Sequence, residues 1–192
     1  KEQSGHISAV GYEMYCRLLE NAVRELRQEK PVTPADTLVD IGLVGTIPRG
    51  YVPSDTRRME AYRRIAQAET LASLETAKEA LVGAYGDPPS GVEMLLDLAQ
   101  LRLAATLAGV RMLVVRDGDV VFRTSRPVEL ERLLRGIAGT IRPIGRPDDQ
   151  GAVEVYYRPP PKYLEPRTLL RVLLKRLVEP IDSPAMPITP AG

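Results

Sequence analysis

The stretch VRMLVVRDGDVVFRT, residues 110–124, decides the fold class. Two runs rich in Val, Leu and Phe flank an Asp-Gly pair at Asp117 and Gly118. Asp-Gly tolerates the positive backbone φ that a tight two-residue turn needs, so this pattern predicts a β-hairpin. Between residues 54 and 109 the apolar spacing is helical. Downstream, strand-like and helix-like segments alternate. The chain is therefore expected to be α+β, with helices packed on a small mixed β-sheet.

Three helices are predicted before the hairpin. Ser54 or Asp55 caps the first, which runs to about Glu69 with Met59, Tyr62, Ile65 and Ala66 on its core face. Ser73 is expected to cap the second, with Leu74, Ala77, Leu81 and Tyr85 inward and Gly86 as its stop. Ser90 and Glu93 have the spacing of a capping box opening the third, which ends at Gly109. Before them, LVDIGLVGTI at 38–47 reads as a strand whose two glycines suggest a bulge or bend. After the hairpin, Pro127 opens a short helix, strands lie near 140–144 and 152–158, and Pro166 starts a final helix to Val178.

Further out, Val10, Met14, Leu18, Ala22 and Leu26 recur at helical spacing within 6–29, and Pro31 and Pro34 stop that helix. The PVTPAD stretch is expected to be a joint. Three parts follow: 1–34, a helix and its linker; 35–179, a compact domain; and 180–192, a tail rich in Pro and small residues and expected to be disordered.

Composition excludes several function classes. The 192 residues carry 26 basic and 25 acidic side chains, a net charge of +1, without the basic excess of a free-standing nucleic-acid binder. One Cys and one His cannot build a structural zinc site, which needs about four N or S ligands, and no intrachain disulfide is possible. That fits a reducing cytoplasm. No apolar run reaches the roughly 20 residues that span a bilayer, so no membrane association is expected. There is no Gly-Lys dipeptide, hence no phosphate-binding loop of the GxxxxGK[ST] type, and no GxSxG, HExxH or CxxC. Cys16 reads as a packed thiol, since His6 would lie about 15 Å away along a straight helix. No catalytic residue, metal ligand or cofactor site is expected in this chain.

Three segments, in order, carry a family resemblance. EQSGHISAVGYEMYCRLLENAV at 2–23 resembles the end of the motor region of bacterial transcription-repair coupling factors, with Gln3, Ser4, Gly5 and His6 matching their translocation motif. IPRGYVPSDTRRMEAYRRIAQAET at 47–70 is similar to the family's signature of Ile-Pro, a few residues, Tyr-Val/Ile-Pro, then Arg and Tyr-Arg/Lys-Arg/Lys-Ile-Ala. YGDPPSGVEMLLDLAQLRLAATLAGV at 85–110 resembles its aromatic-Gly-x-x-Pro turn and Leu- and Ala-rich helix. Residues 111–179 fit only in pattern.

The resemblance implies that 1–34 close a motor and that 35–179 form a C-terminal regulatory domain. The implied parent is an ATP-dependent double-stranded DNA translocase that uses Mg, removes stalled RNA polymerase at lesions and recruits the excision-repair ATPase UvrA. The domain is then expected to dock on the parent's own UvrA-binding module and hold it repressed. ATP and Mg belong to the parent and not to this chain. Gln3 to His6 would couple ATP turnover to DNA movement, or simply form a polar start to a helix. Arg57, Arg58, Arg63 and Arg64 are the densest basic cluster, and offer either a salt-bridged solvated face or an interdomain docking face. The alternative class is an autonomous nucleic-acid-binding module. Tyr156, Tyr157 and Tyr163 beside Arg158 allow base stacking, but Pro159 to Pro161 favour a strand end and a rigid loop.

Overall fold

A computed structural model describes residues 37–148 and 151–178. The expected helix at 6–29, the PVTPAD joint, the Gln3–His6 motif and the tail at 180–192 lie outside the described residues. The remaining elements are β1 (Leu38–Asp40), α1 (Asp55–Ala66), α2 (Leu71–Tyr85), α3 (Ser90–Leu107), β2 (Val110–Arg116) and β3 (Asp119–Thr124). Then come α4 (Pro127–Leu133), β4 (Thr140–Ile144), β5 (Val153–Arg158), a 3-10 turn at Pro161–Tyr163 and α5 (Pro166–Leu177). The α+β expectation holds. The five strands form one sheet in the order β1-β2-β3-β5-β4, parallel between β1 and β2 and antiparallel elsewhere. The parallel pair needs a long crossover, and α1 to α3 supply it.

The hairpin forms as its turn chemistry requires: Asp117 has φ +52° and Gly118 φ +80°, both positive as in a type I′ turn. Residues 38–47 do not form one strand. β1 stops at Asp40, whose Oδ1 accepts the Gly42 amide at 3.2 Å, and Gly42 takes φ +76°. The chain then leaves the sheet and presses against the start of α3. Thr46 N donates to Gly91 O at 2.9 Å, and a Cβ on Gly45 would stand only 2.2 Å from Leu95 N. Glycine is used here for close backbone approach.

Two other expectations are corrected. Thr70, not Ser73, caps α2, and Ser73 is the third helical residue of a true capping box with it. Ser90 is the first residue of α3, not its cap. Pro89 occupies the cap position, and its carbonyl receives the amides of Val92 at 2.8 Å and Glu93 at 3.1 Å. A proline in extended conformation sets this start without a side-chain oxygen.

α3 is apolar nearly all round because it serves two cores. Leu98, Leu101, Ala104 and Ala105 pack with α4, α5 and the inner sheet residues Leu113, Val120, Phe122, Val155 and Tyr157. Val92, Leu95, Leu96, Ala99 and Leu103 pack with Ile47, Val52, Tyr62, Ile65 and Leu81 of the helical half. Each fully buried leucine among them contributes about 1.5–3 kcal/mol of transfer free energy. Arg102 of α3 ties that helix to the end of α1. Its Nη2 donates to the carbonyls of Ala66 and Ala68, each at 3.1 Å, where α1 ends and leaves orphan acceptors.

Candidate interdomain docking face

The four arginines singled out in the sequence lie on α1, but they do not share one surface. Ser54 starts the helix by accepting the Arg57 amide at 3.3 Å. From there Arg57 and Arg64 rise on one exposed stripe with Glu60 between them, and Arg63 is exposed beside it. Arg64 pairs with Glu60 at 2.5 Å, as the i,i+4 spacing anticipates. Arg58 is corrected out of the set: it is buried, donating to Val52 O at 3.0 Å and pairing with Asp55. It sits on the Tyr62–Ile65 side of the helix, where its long stem fills the core wall and its head closes the loop at Val52.

That loop is a second, polar anchor. The Arg58 guanidinium, and then Arg49 at 3.3 Å, hold the Asp55 carboxyl below its usual range. Ile47 N donates to the buried Tyr62 hydroxyl at 2.6 Å. Tyr51 donates to Gly86 O at 2.8 Å, and its ring lies 5.7 Å from that of Tyr85. The Tyr-Val-Pro segment therefore ties α1 to the end of α2.

Beside the arginine stripe, α1 and α2 leave a shallow groove of about 170 Å³ between Arg57, Glu60 and Arg64 on one wall and Ala77, Ala80 and Ala84 on the other. The small alanines make the groove, and the arginines stand over it. Arg57 and Arg63 have no ion-pair partner among the described residues. Such a face can receive an apolar ridge flanked by carboxylates.

A larger cleft, about 650 Å³, lies between α2 and α3, and sequence reasoning missed it. Leu74 and Leu96 form part of its wall with Glu75, Lys78, Glu93 and Asp97. Lys78 pairs with Glu75 at 3.0 Å, and burial, then Glu93, raise the Asp97 carboxyl above its ordinary value. The one signal for it was the Glu93 and Asp97 pair, four apart on α3. Among the described residues no three His, Cys, Asp or Glu side chains could hold a metal ion. No helix among them is long and apolar enough to cross a membrane. Tyr157 is core: fully buried, with its hydroxyl donated to Ala138 O at 2.8 Å, and burial pushes its pKa up to about 12. Tyr156 points to the opposite sheet face, and its hydroxyl donates to Glu154 at 2.7 Å.

Comparison with known proteins gives a consistent result. Residues 41–132 match the family described as TRCF domain. The chain is similar to the transcription-repair-coupling factor of Escherichia coli (strain K12), 35% identical over 118 residues, 59% of this chain and 10% of that protein. Its similarity to the Staphylococcus epidermidis transcription-repair-coupling factor is 34% over 116 residues, again 59% and 10%. The chain thus spans about a tenth of the length of these relatives. In three dimensions it is similar to a crystal structure of the C-terminal domain of transcription-repair coupling factor. The TM-score is 0.53 at 15% identity, covering 74% of this chain and 94% of that one. The shared feature at this identity is the fold.

Proposed function

We propose that the chain is a C-terminal regulatory and interaction module of a transcription-repair coupling factor; the TRCF domain match over residues 41–132 and the similarity to the Escherichia coli relative support this reading. In this reading the parent is an ATP-driven DNA translocase that clears stalled RNA polymerase and recruits UvrA. ATP, Mg and the DNA contact belong to its other parts, and the protein works in the cytoplasm. The module docks on the parent's own UvrA-binding module and holds it closed.

The observation that carries the docking reading is the α1 face: exposed arginines, two of them unpaired among the described residues, over an alanine-lined groove. Arginine is enriched at interfaces because its planar fork binds carboxylates in two places while its stem covers apolar surface. A closed and an open state then differ by these contacts, and only contacts that differ can bias the balance.

The test is reversal of Arg57, Arg63 and Arg64 to Glu in the parent protein, with Arg58 left in place. Each exposed pair lost contributes about 0.2–1 kcal/mol, and 1.4 kcal/mol is tenfold. The triple variant is expected to bind UvrA several-fold to about tenfold more tightly and to hydrolyse ATP faster. Unchanged affinity in a folded variant would reduce α1 to a solvated face.

A further inference from the structure

The net charge of +1 is unevenly spread along the chain. Residues 37–109 carry seven basic and nine acidic side chains, whereas residues 110–178 carry 14 basic and eight acidic ones. Part of the excess in the second half is concentrated on α5. The exposed positions of this helix are Arg167, Arg171 and Lys175, all basic and four residues apart. At about 1.5 Å of rise per residue they form a stripe about 12 Å long on one face. Leu169, Leu170, Leu173 and Leu177, on the other face, are buried in the core. Arg176 donates to the carbonyls of Arg135 and Gly136, each at 3.1 Å, which sets the exposed Arg135 beside the last turn of α5.

These charges are not answered within the described residues. Arg135, Arg167, Arg171 and Lys175 form no ion pair among them. Glu165 lies near Arg167, but its carboxylate accepts the amides of Arg167 and Thr168 and the Thr168 hydroxyl. Like charges at i,i+4 weaken a helix, and Arg167 in the first turn stands at the positive end of the helix dipole. The stripe therefore lowers the stability of α5, a cost that a bound polyanion would offset.

The make-up of the stripe selects among polyanions. A protein partner would need an apolar centre to the interface. A membrane surface would need an exposed apolar face on the helix, and the leucines of α5 lie in the core. Single-stranded nucleic acid is held by stacking on aromatic side chains, and none stands at an exposed position of α5. A row of cations alone suits a duplex backbone, which offers a phosphate about every 3.4 Å along each strand.

We propose that Arg167, Arg171 and Lys175 on α5, with Arg135 beside them, bind the phosphate backbone of double-stranded DNA without regard to sequence. The contact is additional to that of the motor. It rests on the charge of α5 and not on the α1 face, so it stands or falls independently of docking on the UvrA-binding module.

The test is titration of a short fluorescent DNA duplex with the full chain, followed by anisotropy across a salt series. Three phosphate contacts give a slope of log K against log salt of about −2.7, roughly a 40-fold loss of affinity between about 50 and 200 mM salt. Two duplexes of unrelated sequence are expected to bind equally well. Arg167→Gln, Arg171→Gln and Lys175→Gln together are expected to make the slope shallower by about 2.7, with circular dichroism unchanged. Should the triple variant fail to fold, Arg171→Gln alone carries the test, with a slope shallower by about 0.9. Arg116 and Arg142 serve as the control. They stand in rows of the sheet's outer face, Arg116 with Asp119 and Arg142 with Tyr156, turned away from the helices. Arg116→Gln with Arg142→Gln is expected to leave the slope unchanged. Absence of binding at the lowest salt, or a slope that the α5 changes do not alter, would overturn the proposal. So would an equal loss from the outer-face pair, or equal stripe-dependent binding to vesicles of anionic phospholipid.

Discussion

Arg158 on β5 holds Asp119 on β3 with both branches of its guanidinium, Nε at 2.8 Å from Oδ1 and Nη2 at 2.7 Å from Oδ2. Asp119 is the buried member, and it lies at the first residue of β3, directly after the hairpin turn. The fork locks the register of β3 against β5 where the turn would otherwise let it slip. Asp119→Ala is expected to lower the thermal midpoint by about 2–4 °C. The loss should shrink in high salt only in part, because one partner is buried. A salt series of calorimetric scans checks both statements, and an unchanged midpoint would remove the pair from the account of the sheet.

The Tyr62 hydroxyl accepts the Ile47 amide at 2.6 Å in a site where both residues are buried. Tyr62→Phe keeps the ring and strands that amide without its acceptor. An unsatisfied buried donor costs about 1–3 kcal/mol. The urea midpoint should fall accordingly, with the slope unchanged because the same surface is exposed on unfolding. A change confined to the slope would contradict this.

Gly45 packs so closely on α3 that a Cβ would meet Leu95 N, Cα and Cβ at 2.2, 2.3 and 2.5 Å. Two of those atoms belong to the helix backbone and cannot swing aside. Gly45→Ala is therefore expected to cost at least the upper part of the roughly 1–3 kcal/mol typical of overpacking. Gly50→Ala is the control, since nothing lies within 4 Å of the place its methyl group would take. Denaturant unfolding of the two variants should separate them clearly, and equal stabilities would refute the close contact.

Two carboxyls predict opposite pH behaviour. The hydrogen bond from Thr168, then the amides of Arg167 and Thr168, hold Glu165 below its ordinary value at the start of α5. Its contribution is thus present above the usual carboxylate pKa and is lost as pH falls through the lower folded value. Asp97 is raised, first by burial, so its contribution is present below the usual pKa and is lost as pH rises through the higher folded value. Glu165→Gln is expected to lower stability at pH 7 and to matter little at pH 3. Asp97→Asn is expected to raise stability at pH 7 and to matter little at pH 3. Thermal scans across that range check the signs, and reversal of either would show that its cause is misassigned.

Much of this molecule was legible along the chain. The Asp117-Gly118 turn, Pro127 and Pro166 at helix starts, and the apolar spacing of α1, α2 and α3 are local properties. Each is set by a few neighbouring residues and their allowed φ and ψ. The same holds for the Arg64–Glu60 pair, four residues apart. What the tertiary structure alone decided involves residues far apart in sequence. β1 is short because residues 41–47 find better partners on α3 than on the sheet, as the Thr46–Gly91 bond shows. Arg58 turned inward because Val52 O and Asp55 wait there, although in sequence it looks like Arg57. The α2–α3 cleft and the rows of the outer sheet face depend on how elements cross and register. Local patterns state which face of an element is apolar. Which other surface meets that face depends on long-range packing, and the free energy that settles it is shared among residues tens of positions apart.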